Sequence, residues 1–126
     1  MQPPFTPRTT GIILATERFE DCVVFYRDML GLPVWFTKEE LVCLRFGDGY
    51  LMIETGGVAV TGHKRSVENS TILRFNVDGV AAAAAALTAR GISVELKSFT
   101  WGTVATFADP DGNICELKNA DDAFFT

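Results

Sequence analysis

Hydrophobic and polar positions in this chain follow two periods, and the switch between them occurs twice. Between Glu17 and Leu30, the residues Phe19, Cys22, Val23, Tyr26, Met29 and Leu30 recur at helical spacing, which predicts one helix. Glu17, Glu20 and Asp21 place negative charge in its first turns, Gly31 stands at the C-cap and Pro33 follows, all of which suit the helix dipole and its termination. A second helix is predicted from an N-cap at Asp78 through "GVAAAAAALTAR" to a C-cap at Gly91. Its run of six alanines is strongly helix-forming, and such small side chains let a helix lie close on a sheet. The remaining segments read as strands. "TTGIILAT" precedes the first helix, and "LPVWFT", "LVCLRF" and "YLMIET" follow it; "STILRFNV" precedes the second, and "GISVELKSF", "GTVATF" and "NICELK" follow it. "GDG" at 47–49 and "DPDG" at 109–112 are turn signals between strands.

The two halves match element for element. Gly31 and Gly91 lie 60 residues apart, and Glu54 and Glu116 lie 62 apart. A strand, a helix and three strands repeated at that period indicate an internal duplication. Two modules, 8–57 and 70–119, are therefore expected within a single domain spanning 1–126, with the polar stretch 56–69 as connector and loose tails at 1–7 and 120–126. A chain of 126 residues is long enough for one such domain to bury about two-thirds of its unfolded surface.

Composition narrows the partners. The chain carries a formal charge of −5 and no basic stripe, so nucleic acid is not expected as a partner. The longest apolar run, Val80 to Leu87, is too short to span a bilayer, so no membrane association is expected. "MQPPFTPRTT" lacks the basic start and apolar core of a signal peptide. Cys22, Cys43 and Cys115 are odd in number and scattered, which reads as reduced, half-buried thiols and a cytoplasmic location.

"FYRDMLGLPV" at 25–34, "FNVDGVAAAAAAL" at 75–87, "RGISV" at 90–94 and "WGTVATFADPDGNICEL" at 101–117, set in the doubled pattern, resemble the vicinal-oxygen-chelate superfamily. That group holds glyoxalase I, bleomycin-resistance proteins, fosfomycin-resistance thiol transferases and extradiol dioxygenases. The resemblance covers about residues 8–119 and implies an α+β fold: two tandem βαβββ modules forming an open, curved eight-stranded sheet of half-barrels around a cavity. It also implies a homodimer, an arrangement that would shield exposed sheet edges.

Metal-using members of that superfamily place a ligand on the first and last strand of each module. In this chain the first-strand positions fall on Gly11 and Ile72, and the last-strand positions on Glu54 and Glu116. Glycine and isoleucine offer no side-chain donor, and the one histidine, His63, lies in the connector. An iron oxygenase needs two histidines and a carboxylate. A nickel or zinc glyoxalase site wants imidazole or amide beside its glutamates, and hard ions usually want more convergent oxygens. No metal and no cofactor are therefore expected.

Strand parity supplies other candidates. A two-residue hairpin at "GDG" that paired Phe46 with Leu51, Arg45 with Met52 and Cys43 with Glu54 would set Arg45, Cys43, Met52 and Glu54 on the cavity face, with Arg45 and Glu54 close enough to pair. In the second module Ile72, Arg74 and Asn76 would share a face with Ile114, Glu116 and Lys118; Arg45–Glu54 and Arg74–Glu116 could serve as ligand contacts or as ion pairs closing a filled barrel. Phe99 and Trp101 would stand at the mouth with Thr103 just inside. Trp35 and Phe36 lie on one strand, and parity leaves open which of them faces inward. The candidate site is thus Glu54 and Glu116 as catalytic carboxylates, and Arg45, Arg74, Trp35, Trp101 and Thr103 as ligand contacts. Aromatic walls with a few charges suit a small organic ligand.

Three functions fit this pattern. The first is a metal-free binding protein resembling the bleomycin-resistance group, sequestering a drug or metabolite as a homodimer. The second is a glyoxalase-like lyase or isomerase, with Glu54 or Glu116 as general base or as part of an atypical metal site. The third is a member whose barrel is filled by its own side chains. Serine or cysteine nucleophile chemistry is disfavoured, because no histidine is placed to serve as base.

Overall fold

The computed structural model describes residues 2–121. The chain divides between Val58 and Ala59 into two compact units. The first unit runs β1 (Gly11–Thr16), α1 (Phe19–Val23) and a π-helical stretch (Val24–Met29), then β2 (Val34–Lys38), β3 (Leu41–Phe46) and β4 (Gly49–Thr55). The second repeats the order with β5 (Leu73–Val77), α2 (Val80–Ala89), β6 (Glu95–Phe99), β7 (Gly102–Ala108) and β8 (Ile114–Asn119). Each unit has its own unclosed four-stranded mixed sheet, ordered β1-β4-β3-β2 in one and β5-β8-β7-β6 in the other. The first and last strands pair in parallel and the remaining pairs are antiparallel. The fold is α+β, built of two tandem βαβββ modules.

The predicted first helix is present, but its second half is wound wider: the Leu30 N–H donates to the carbonyl of Phe25, five residues back, at 2.9 Å. Gly31 follows at φ +80°, a backbone setting that glycine reaches without a Cβ penalty. The helical segment packs on β4, where Leu51 and Ile53 are fully buried beside buried Val42 and Leu44 of β3. In α2 the inward positions are Val80, Ala84 and Leu87, spaced as one helical stripe, and they pack on β7 and β8. Asp78 is not its N-cap. The cap position is Gly79, and the Val80 N–H is met by Oδ1 of Asn119, 2.9 Å away on β8. The three cysteines are fully buried rather than half-buried, and none is in a disulfide.

The two-residue hairpin between β3 and β4 forms, but with pairings other than those expected. Phe46 pairs with Gly49, Arg45 with Tyr50, Cys43 with Met52 and Leu41 with Glu54. The register shift is two residues, so each side chain keeps its predicted face and changes its neighbour.

The connector is anchored within the second unit. The N–H groups of Val60 and Lys64 donate to the carbonyls of Asp111 and Gly112 at 2.9 and 2.8 Å. Lys64 Nζ donates to Asn113 Oδ1 at 3.0 Å and lies 3.8 Å from Asp111 Oδ2. Asp109 Oδ1 accepts from the N–H groups of Asp111 and Asn113, and its Oδ2 accepts from the Asn113 side-chain amide. Lys64, Asp109, Asp111 and Asn113 are all buried, so this turn is a satisfied polar core in which each donor meets an acceptor. A Cβ on Gly112 would lie 2.7 Å from the Val60 carbonyl oxygen, which explains the glycine. Of the predicted tails, Met1 and 122–126 lie outside the described residues. Ala120 is tied down by its N–H to Val77 O at 2.7 Å.

Candidate functional site

The registers of the first sheet lay one face out in three rows. Gly11, Tyr50 and Arg45 form the first, Ile13, Met52, Cys43 and Phe36 the second, and Ala15, Glu54, Leu41 and Lys38 the third. Between Val34 and Phe36 the pairing with β3 slips by one residue. That β-bulge turns Trp35, which alternation would send to the opposite face, towards the first row. Its ring lies 5.7 Å from that of Tyr50 and 5.2 Å from that of Phe36, and the guanidinium carbon of Arg45 stands 4.2 Å over it. The question left open between Trp35 and Phe36 thus resolves as both. Tyr50, not among the sequence candidates, shares the parity of Met52 and Glu54, and that parity is the signal for it.

Gly11 makes room for this cluster. A Cβ there would fall 2.1 Å from Cε2 of Tyr50, so the tyrosine ring occupies the space a side chain would need. On the same face, Lys38 Nζ lies 5.8 Å from the Phe36 centroid.

Arg45 and Glu54 do not pair. With Glu54 opposite Leu41 and Arg45 opposite Tyr50, four residues separate them along the strands, roughly 13 Å at about 3.4 Å per residue. Among the described residues neither side chain has a hydrogen-bond or ion-pair partner. Arg45 rests on Trp35, and the carboxylate of Glu54 is left open.

The second sheet is arranged differently. Arg74 stands directly opposite Glu116 on the parallel pair β5–β8, and its Nε and Nη2 both reach Glu116 Oε1. The ion pair therefore forms here, and it engages Glu116, whose side chain is 11% exposed against 35% for Arg74. Asn76 and Lys118 form the next row of that face. Lys118 is fully buried, with Nζ 4.6 Å from the ring of Trp101. The Trp101 ring stacks on Phe99 at 4.8 Å and 3°, and both aromatics are exposed. Thr103 does not join them. It pairs with Ser98 in the β6–β7 ladder while Val104 pairs with Lys118, so alternation sends Thr103 to the other face, where it shares a hydrogen bond with the Ser98 hydroxyl at 3.1 Å.

Register also corrects the first-strand metal positions. Glu54 lies opposite Ala15 and Glu116 opposite Arg74. Two residues earlier on each strand path stand Ile13 and Ile72, so Ile13, not Gly11, is the equivalent of Ile72. Ile72 itself lies just before β5 and is exposed. The first unit thus offers an isoleucine and an open glutamate at these positions, and the second an isoleucine and a glutamate engaged by arginine. Neither pair supplies the imidazole or amide that such an ion requires. Among the described residues no three His, Cys, Asp or Glu side chains gather into a metal-binding group, and His63 is exposed in the connector.

Comparison with known proteins agrees with this architecture. Residues 9–117 match the family model described as the Glyoxalase/Bleomycin resistance protein/Dioxygenase superfamily. The uncharacterized protein YraH of Bacillus subtilis (strain 168) is 32% identical over 119 residues, covering 84% of this chain and 93% of that protein. Lactoylglutathione lyase from Agrobacterium tumefaciens superposes with a TM-score of 0.71 at 19% identity, over 94% of this chain and 96% of that one. TnmS3, an antibiotic binding protein from Streptomyces sp. CB03234, superposes at 0.66 with 22% identity, over 90% and 96%. At those identities the two structural matches establish the fold alone.

Proposed function

From the chain's membership of the glyoxalase/bleomycin resistance protein/dioxygenase superfamily, we propose that it is a small-molecule binding protein that sequesters a drug or metabolite, without a metal, as a homodimer in the cytoplasm. Arg45, Trp35 and Glu54 carry the recognition on the first sheet, with Tyr50 added to them; Arg74, Glu116 and Trp101 line the second. Thr103 is dropped from the set because of the face it occupies. The observation that carries this reading is the first-sheet face itself, where an aromatic cluster holds a guanidinium, an apolar row adjoins it, and an open carboxylate stands two rows away. Such a mixture of apolar walls and few polar groups suits a small organic ligand. An antibiotic binding protein among the structural relatives is in keeping with it. Among the described residues no helix is long and apolar enough to cross a membrane.

A second reading has one observation in its favour. Glu54 is a carboxylate with no described partner, as a general base for a lyase or isomerase would require, and positioned proton transfer contributes about 10²–10⁴-fold. Glu116, engaged by Arg74, is the weaker candidate for that role.

A thermal-shift panel of drugs, metabolites and divalent ions tests both. The binding reading expects at least one organic compound to raise the melting temperature, and the Trp35→Ala variant to lose that shift. It is overturned if no organic compound stabilises the protein. It is equally overturned if Zn²⁺, Ni²⁺ or Mn²⁺ raises the melting temperature by several degrees and a Glu54→Gln, Glu116→Gln double variant abolishes that rise. Turnover of a bound compound that is lost in Glu54→Gln would favour the enzyme.

A further inference from the structure

The two sheets carry arginines of opposite availability, and this bears on what the ligand must bring. Arg74 is neutralised by Glu116 directly across the β5–β8 pair. Arg45 has no carboxylate in its row, and among the described residues its guanidinium makes a ring contact only, with Trp35. Stacking on an indole holds a guanidinium by its face and does not use the in-plane N–H donors that form paired bonds to a carboxylate. The side chain is thus oriented before any ligand arrives, which lowers the ordering cost of binding. Tyr50 lies beside the same indole at 5.7 Å, so aromatic surface adjoins the cation. Phe36, Met52 and Ile13 continue that surface as an apolar row, with Ile13 61% exposed. The one carboxylate of the face, Glu54, is two rows away and shares its row with Lys38.

We infer that the first-sheet face takes a planar aromatic carboxylate, its ring against Trp35 and Tyr50 and its carboxylate on the N–H donors of Arg45. This assignment rests on the binding reading above and adds the charge and shape of the ligand to it. It runs against the chain's overall charge of −5, which taken alone would favour a cation; the local arrangement of Arg45 decides instead.

Isothermal titration calorimetry with 4-phenylbenzoate, its carboxamide and 4-phenylbenzylamine separates charge from shape. The carboxylate is expected to bind about tenfold tighter than the amide, the scale of a charge-assisted hydrogen bond, and the amine weakest. Arg45→Gln should erase the preference for the carboxylate, Trp35→Leu should weaken carboxylate and amide together, and Arg65→Gln, an exposed control, should change neither. Added salt should reduce the preference. An amide or amine that binds as tightly as the acid overturns the inference and leaves the binding reading standing, as does an Arg45→Gln protein that keeps the preference. Failure of all three probes, where another compound of the panel binds, also overturns the inference alone. Failure of every compound in the panel removes the binding reading and the inference with it.

Discussion

The guanidinium carbon of Arg45 stands 4.2 Å over the ring of Trp35, in a sheet where alternation alone would have put the two side chains out of reach. The β-bulge between Val34 and Phe36 brings the indole round, and Gly11 leaves the space that seats Tyr50 beside it. A methyl group at Gly11 would overlap the edge of the tyrosine ring, so Gly11→Ala must displace Tyr50. The expected cost is about 1–3 kcal/mol, the range for overpacking. Urea denaturation should report it, together with a changed Trp35 emission in a Trp101→Phe background.

Lys64 is buried against the 109–113 turn. Removing its ammonium breaks the buried pair with Asp111 and the bond to Asn113, so Lys64→Met should destabilise the fold by about 3–5 kcal/mol, the range for a buried pair that loses one partner. Its neighbour Arg65 makes an exposed pair with Glu68, and Arg65→Met should leave the denaturation midpoint nearly unchanged. The two midpoints measured side by side separate the buried Lys64 side chain from its exposed neighbour as a source of stability.

Asn119 caps α2 from a distant strand. Asn119→Ala leaves the Val80 N–H without its acceptor and should lower stability by about 0.5–2 kcal/mol, as for other N-cap losses. Asp78→Ala should have little effect, because Asp78 is exposed and is not the cap residue. Equal losses in the two variants would contradict this assignment.

Burial pushes the Cys43 thiol above the ordinary value of 9.0, and the nearby Arg45 offsets part of that rise. A raised folded-state value means the protonated thiol contributes fully at pH below 9.0. As pH rises above that value the unfolded chain ionises first, and the contribution is lost on the way up to the folded value. Stability should therefore fall between about pH 8 and about pH 10, and fall less in Cys43→Ala. Denaturant midpoints at the two pH values, compared as slopes, are the measurement.

Local features explain what the sequence made legible. Helical spacing between Phe19 and Leu30, the glycines at 31 and 91 and the turn residues at 47–49 all act within a few residues, and the duplicated module follows from them. Parity likewise placed Arg74 and Glu116 on one face, and the parallel register put them in contact. The misses have longer reach. Nothing local marks the bulge at Trp35, since neither glycine nor proline sits within it. Lys64 reads as part of a polar loop because its partner Asn113 is 49 residues away. The α2 cap is likewise supplied 39 residues downstream. Arg45 and Glu54 failed to pair because a tight "GDG" hairpin moved their register by two, which parity cannot detect.

The most direct test of the first sheet as the ligand face is a two-dimensional NMR titration of the ¹⁵N-labelled protein with the tightest compound from the thermal-shift panel. The Trp35 indole N–H and the amides of Arg45, Tyr50 and Glu54 are expected to move progressively to saturation. If those four resonances stay fixed while others move to saturation, the first-sheet face is not the binding site.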